Sequence, residues 1–234
     1  MFVEVGEASD VRSLLDEARG VLFDFDGPVC RLFPNGSSRP VANALRCLVA
    51  KAGVKSLLTA EEKQAKDPHA VLRAVHRGRR EDTGLVGALE REVTKGELEA
   101  VRRAELTPGA DELIRRLARR GQRLAVVTNN SAEAVSYYLE SKGLSDCFTA
   151  VHGRTSDIDR MKPAPHVVEQ ALQALQLCGP EAVMIGDSEA DVHAAQSAGV
   201  PFVGFGRNER KEAELRRAGA KLVLNSYARL LDEE

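Results

Sequence analysis

Val21-Leu22-Phe23-Asp24-Phe25-Asp26-Gly27-Pro28-Val29 is the stretch on which the reading of this chain turns. Three apolar residues run together and then give way to two acids, a glycine and a proline. A strand buried on both faces, as in a parallel sheet, is a continuous apolar run rather than an alternating one. Asp24 ends the run, and Asp26-Gly27-Pro28 supplies turn chemistry. The segment reads as a short buried strand that delivers two carboxylates to the edge where it leaves the sheet.

Moving outward, the same pattern recurs. Leu124-Ala125-Val126-Val127 stops at Thr128-Asn129-Asn130, and Ala182-Val183-Met184-Ile185 stops at Gly186-Asp187-Ser188. Weaker strand candidates are residues 148–151, 202–205 and 221–224. Helix-period segments lie between them at 108–120, 132–142, 164–176, 189–198 and 209–218. The first of these has Thr107 as its expected N-cap, Pro108 in its first turn and Gly121 beyond its end. A short amphipathic helix is expected over 8–18, stopped by Gly20. Strand and helix alternate from Gly121 onward, which argues for an α/β, doubly wound, mostly parallel (Rossmann-like) sheet with helices on both faces.

Residues 31–105 break that alternation. Strand signal is sparse there, 41–50, 70–77 and 85–103 look helical, and Phe33-Pro34-Asn35-Gly36-Ser37-Ser38 is a loop by turn chemistry. The expected organisation is a core made of 1–30 and 105–234, interrupted by a helical insertion at 31–104.

Composition sets bounds on partners. Lysine plus arginine number 33 and aspartate plus glutamate 35, so the net charge of -2 gives no reason to expect nucleic acid or a membrane surface as partner. The opening Met1-Phe2-Val3-Glu4-Val5-Gly6-Glu7 is acidic without a long apolar run, and no stretch is long enough to span a bilayer, so a cytoplasmic protein is expected. Cys30, Cys47, Cys147 and Cys178 form no CxxC pair, which argues against a zinc site or a disulfide framework.

In an open parallel sheet ligands bind outside the carboxyl ends of the strands. If the three clear strands are neighbours, Asp24, Asp26, Thr128 and Asp187 meet in one crevice. Carboxylates brought so close repel one another unless a cation lies among them, and oxygen-only ligands suit magnesium. Lys162, in Met161-Lys162-Pro163 ahead of a helix, can add a compensating charge. Taken singly each motif has a plainer reading: an acidic turn, a strand-end turn, a solvated lysine, and helix-start acids at Asp187 and Asp191.

Taken in order they resemble a known family. Asp24-Phe25-Asp26-Gly27-Pro28-Val29, Thr128-Asn129, Lys162-Pro163 and Gly186-Asp187-Ser188-Glu189-Ala190-Asp191 are similar to the four successive motifs of the haloacid dehalogenase-like hydrolases. The likeness runs from Val21 to Gly206 and points to phosphoglycolate phosphatase-like members with a helical cap inserted after the first motif. It implies a magnesium-dependent phosphatase that acts on a small phosphorylated metabolite. By that resemblance Asp24 is the nucleophile, Asp26 the general acid and base, and Thr128, Asn129 and Lys162 hold the phosphoryl group. Asp24, the backbone carbonyl of Asp26, Asp187 and Asp191 would hold Mg2+, Asp191 directly or through water. Asp26 together with Asp187 and Asp191 favours ester hydrolysis, because related transport ATPases carry threonine at the Asp26 position. Pro28 stands where many members have threonine, and His166 where relatives often carry an acid. Two other functions fit the same scaffold: a phosphomutase, and a catalytically inactive binding or regulatory protein. A monomer or homodimer is expected. His69 and the basic run His76-Arg77-Gly78-Arg79-Arg80 read as a solvated helix end, or as cations offered to the non-reacting part of a substrate.

Overall fold

The computed structural model describes residues 3–34, 37–79 and 83–231. In chain order its strands are β1 (Gly20–Phe23), β2 (Cys30–Arg31), β3 (Glu105–Leu106), β4 (Arg123–Ser131), β5 (Ala150–Arg154), β6 (Ala182–Gly186), β7 (Phe202–Phe205) and β8 (Leu222–Leu224). The helices are α1 (Val3–Glu17), α2 (Arg39–Lys51), α3 (Pro68–Gly78), α4 (Thr83–Val101), α5 (Ala110–Arg119), α6 (Ala132–Ser141), α7 (His166–Leu175), α8 (Glu189–Ser197), α9 (Glu209–Arg217) and α10 (Ala228–Leu231). Six strands make one sheet in the order β5-β4-β1-β6-β7-β8, parallel at every pairing. The doubly wound α/β expectation is borne out, with β1 at the centre of the sheet.

The apolar runs are continuous because each residue has its own covered face. Val21, Phe23, Leu124, Val126, Val183 and Ile185 point into one core, shared with α1, α5 and α6. Leu22, Ala125, Val127 and Met184 point into the opposite core, under α7 and α8. Burial of each larger side chain contributes on the order of 1.5–3 kcal/mol, so neither face can be stripped of its helices. Phe23 sits in register with Val126 of β4 and with Ile185 of β6. That register brings Asp24, Thr128 and Asp187 to one edge of the sheet.

The α-helices between residues 31 and 104 are α2, α3 and α4. α2, α3 and α4 enclose a separate apolar cluster that includes Leu45, Val49, Val71, Leu72, Val75, Leu89 and Val93. Ile158 and Met161, from the loop that leads to Lys162, pack into the same cluster. Where the chain leaves for the insertion and returns from it, β2 and β3 pair antiparallel, Cys30 opposite Leu106 and Arg31 opposite Glu105. Two-residue strands carry no periodic signal, so this ribbon could not be read from the sequence.

Three local expectations are corrected. Thr107 does not cap α5: its hydroxyl donates to the carbonyl of Gly27 at 2.6 Å, and the helix begins at Ala110 with Gly109 in the left-handed region (φ 79°) as its N-cap. β4 does not stop at Val127 but runs on to Ser131, its register against β5 shifting between those two residues. Tertiary hydrogen bonds there override the turn preference of Thr128-Asn129-Asn130. The first helix is longer than 8–18, running from Val3 to Glu17.

Candidate active site

The first motif is placed by the sheet and then folded back on itself. The amide of Asp24 still donates to the Ile185 carbonyl of β6, at 2.8 Å. The chain then turns: Val29 and Cys30 donate to the Phe25 carbonyl, and Gly27 donates to that of Cys30. Phe25 is buried edge-on against Tyr138, with ring centroids 5.3 Å apart. With Phe25 anchored in the core, the acids on either side of it face the cleft. Gly27 has φ +118°, and a Cβ there would lie 2.7 Å from Cγ of Asp187, so only glycine lets the turn and this carboxylate meet. Tyr227, fully buried and stacked on Phe205, ties the same turn from the far end of the chain by donating to the Pro28 carbonyl at 3.0 Å.

The seven residues of the four motifs line one cleft of about 530 Å3: Asp24, Asp26, Thr128, Asn129, Lys162, Asp187 and Asp191. Lys162 is only 2% exposed. Its Nζ donates to Asp24 Oδ1 at 2.8 Å and to the Val127 carbonyl at 2.8 Å, and sits 2.5 Å from Asp191 Oδ1. Carboxylate oxygens of Asp24, Asp187 and Asp191 all lie within 4.8 Å of one another, an all-oxygen set that can hold a metal ion. The Asp26 carboxylate is not in that set; it accepts from the amide of Leu32 at 2.9 Å, so only its main chain is left for the metal role implied above. Asp187 is not a helix cap. Ser188 caps α8, and Asp191 closes the capping box, its Oδ2 accepting from Ser188 Oγ (2.7 Å), Ser188 N (3.0 Å) and Asp187 N (3.1 Å).

Electrostatics follow from this packing. Burial, reinforced by the charges of Asp191 and Asp187, lifts Asp24 from an ordinary 3.8 to about 7 although Lys162 pulls the other way. Burial likewise lifts Asp26 to about 6 and Asp187 to about 6. Lys162 is pushed up: burial alone would lower it, but Asp191 and Asp24 outweigh that.

Asn129 does more than the sequence suggested, and Lys211 and Glu97 were not singled out at all. Asn129 lines the cleft, but its side-chain amide also braces the Lys162 loop, Nδ2 donating to the Lys162 carbonyl (3.0 Å) and Oδ1 accepting from its amide (2.7 Å). Lys211, in the first turn of α9, places Nζ 3.1 Å from Asp187 Oδ2 and donates to the Asp187 carbonyl at 2.9 Å. Glu97, fully buried on α4, accepts from Arg154 NH1 (2.9 Å), Asn130 Nδ2 (3.0 Å) and Ser131 N (3.0 Å), and so holds the insertion to the shifted end of β4. A signal for Glu97 existed: it sits on the buried stripe Val86, Leu89, Val93, Glu97, Val101, where a lone acid needs a buried partner. His76 and Arg77 are engaged away from the cleft, with Asp159 (3.2 Å) and Glu62 (2.9 Å), while Arg80 falls outside the described residues. The cations that do line the cleft from the insertion side are Arg31, Lys66 and Arg73, beside His69. His166 opens α7 and contacts Arg160 rather than the cleft.

Comparison with known proteins agrees with this arrangement. The family model for haloacid dehalogenase-like hydrolases matches residues 18–199. A phosphoglycolate phosphatase from Rhodospirillum rubrum is 31% identical over 225 residues, 92% of this chain and 90% of its own. One from Yersinia pestis is 29% identical over 215 residues, covering 91% of each. Among solved structures, CbbY from Rhodobacter sphaeroides in complex with phosphate shares the fold with a TM-score of 0.65 at 23% identity, over 91% of this chain and 96% of that one. Among the described residues no helix is long and apolar enough to cross a membrane. With the four motifs gathered at the carboxyl edge of a parallel sheet and a family match that spans most of its length, the chain belongs to the haloacid dehalogenase-like hydrolases and is a phosphatase of that family.

Proposed function

We propose that this phosphatase hydrolyses a small phosphomonoester through an aspartyl-phosphate on Asp24, with magnesium held by Asp24, Asp187, Asp191 and the main chain of Asp26. The observation that carries the reading is the salt bridge of buried Lys162 to Asp24 at 2.8 Å, inside the three-carboxylate cluster. A lysine held there keeps the nucleophile oriented and lowers the cost of its negative charge. An Asp24 oxygen attacks phosphorus, and the bond to the ester oxygen breaks. The Asp26 carboxyl, lifted to about 6, gives its proton to that leaving oxygen. Asp26 then takes a proton from the water that attacks phosphorus, which releases inorganic phosphate and restores Asp24. Thr128 and Lys162 bind phosphoryl oxygens, and Asn129 fixes the loop from which Lys162 reaches in. When bound, the metal ion neutralises phosphoryl charge and offsets the repulsion among the carboxylates.

Residues 31–104 act as a cap in this reading. His69 and Arg73 of α3 line the same cleft as Asp24, which supports a lid that excludes water and selects the substrate. The phosphoglycolate phosphatase relatives make 2-phosphoglycolate the first substrate to assay. Phosphate release from it and from a panel of sugar phosphates and nucleoside monophosphates, with magnesium and with chelator, tests the reading. Release that chelator stops and magnesium restores is expected. Chelator-insensitive release removes the metal ion, and no release from any ester removes the phosphatase assignment.

A further inference from the structure

We infer that Lys211 sets the metal affinity of the site by holding Asp187 as a built-in, displaceable counter-cation. The inference rests on the metal reading above, and its test separates the two. Four acids meet here, Asp24, Asp26, Asp187 and Asp191, and two ammonium groups face them, Lys162 and Lys211. Fully ionised, these four carboxylates and two ammonium groups sum to about −2, an excess that favours a divalent ion, while Arg207 acts on Asp26 from the cleft wall.

The two lysines are built differently. Lys162 is 2% exposed and pinned by three oxygens, those of Asp24, Asp191 and Val127. Lys211 reaches in from the first turn of α9 on a side chain 20% exposed, and among the described residues its ammonium bonds to Asp187, at the carboxylate (3.1 Å) and the carbonyl (2.9 Å), while its charge also acts on Asp26. The Lys211 backbone is fixed, because its amide donates to the α9 cap Asn208 Oδ1 at 3.0 Å, while its four-carbon stem leaves the ammonium free to move. Gly27 closes one side of Asp187, where a Cβ would lie 2.7 Å from its Cγ. A divalent ion arriving at Asp24, Asp187 and Asp191 therefore has to take Asp187 from Lys211, and Lys211 weakens its binding both by occupying the carboxylate and by like charge.

The test is direct metal binding, with no turnover involved: Mn2+ affinity by electron paramagnetic resonance on the full chain. Lys211→Met removes the charge and keeps the stem, and tightens Mn2+ binding by about tenfold or more. Lys211→Arg keeps the charge and stays within about threefold of wild type. Arg210→Gln, a neighbouring cleft cation 77% exposed and paired with Glu214, shifts affinity by less than about twofold, which separates local competition from a general field. An unchanged or weaker affinity in Lys211→Met, or an equal gain in Arg210→Gln, overturns the assignment. Wild type that binds no Mn2+ at millimolar concentration overturns the metal reading itself, and this assignment falls with it.

Discussion

At the scale of single residues the site is a balance of buried charge, and Asp24 is where the balance is tightest. Its carboxylate is buried beside two other acids, so the charge that makes it a nucleophile is also a cost to the metal-free fold. Asp24→Asn should therefore remove at least about a thousandfold of turnover while leaving the metal-free melting temperature equal to or above that of wild type. Lys162 keeps Asp191 and the Val127 carbonyl as partners in that variant. Thermal melts in chelator check the second half, and a marked loss of stability contradicts it. Which residues would meet was legible in advance, because all seven lie in short polar stretches tied to strand ends or a helix start. Their partners were not. Lys211 and Tyr227 act on the site from other elements, 24 and 199 positions away from the groups they bond, and sequence spacing says nothing about such pairs.

At the scale of elements, the join between α4 and β4 carries a buried charge cluster. Burial alone would raise the Glu97 carboxyl, but hydrogen bonds from His69 and Arg154, with the Arg154 charge, hold it at about 2 against an ordinary 4.5. The unfolded chain then binds the Glu97 proton more readily than the folded one does. This stabilisation is present above pH 4.5 and is lost as the pH falls through about 2. Glu97→Gln should be less stable than wild type near neutrality, because buried Arg154 then keeps only the partly exposed Glu90, at 3.2 Å, as an acid partner, and the gap should close in acid. Denaturant midpoints measured across that range test it; a gap that stays constant removes Glu97 as its source. The element scale also shows why most of the fold was readable. Apolar runs such as Ala182–Ile185 are buried on both faces and have few alternatives, whereas β2 and β3 pair only because the insertion's two chain crossings are brought together. The extra length of β4 has a tertiary cause as well, since Glu97 accepts from the Ser131 amide just where pairing with β5 shifts.

At the scale of the whole molecule, sheet and insertion converge on one cleft whose buried carboxylates make the stability of the fold depend on pH. In the metal-free fold Asp24 (about 7), Asp26 (about 6) and Asp187 (about 6) hold protons that the unfolded chain, with ordinary values of 3.8, has already released. Their contribution is full below pH 3.8 and is lost as the pH rises through 6 and 7. A divalent ion needs the deprotonated groups, so the gain in melting temperature from magnesium should grow between about pH 5 and pH 8. A gain that is flat or falls over that range would place the ion elsewhere. The central claim is covalent, and it is tested most directly by trapping the phosphoenzyme. The enzyme is quenched in acid during turnover of its best phosphate ester, reduced with borohydride so that an aspartyl-phosphate becomes homoserine, and mapped by peptide mass spectrometry. Homoserine at position 24, absent when substrate is withheld, is the expected result. Homoserine at another position, or a fully active Asp24→Asn protein, would contradict it.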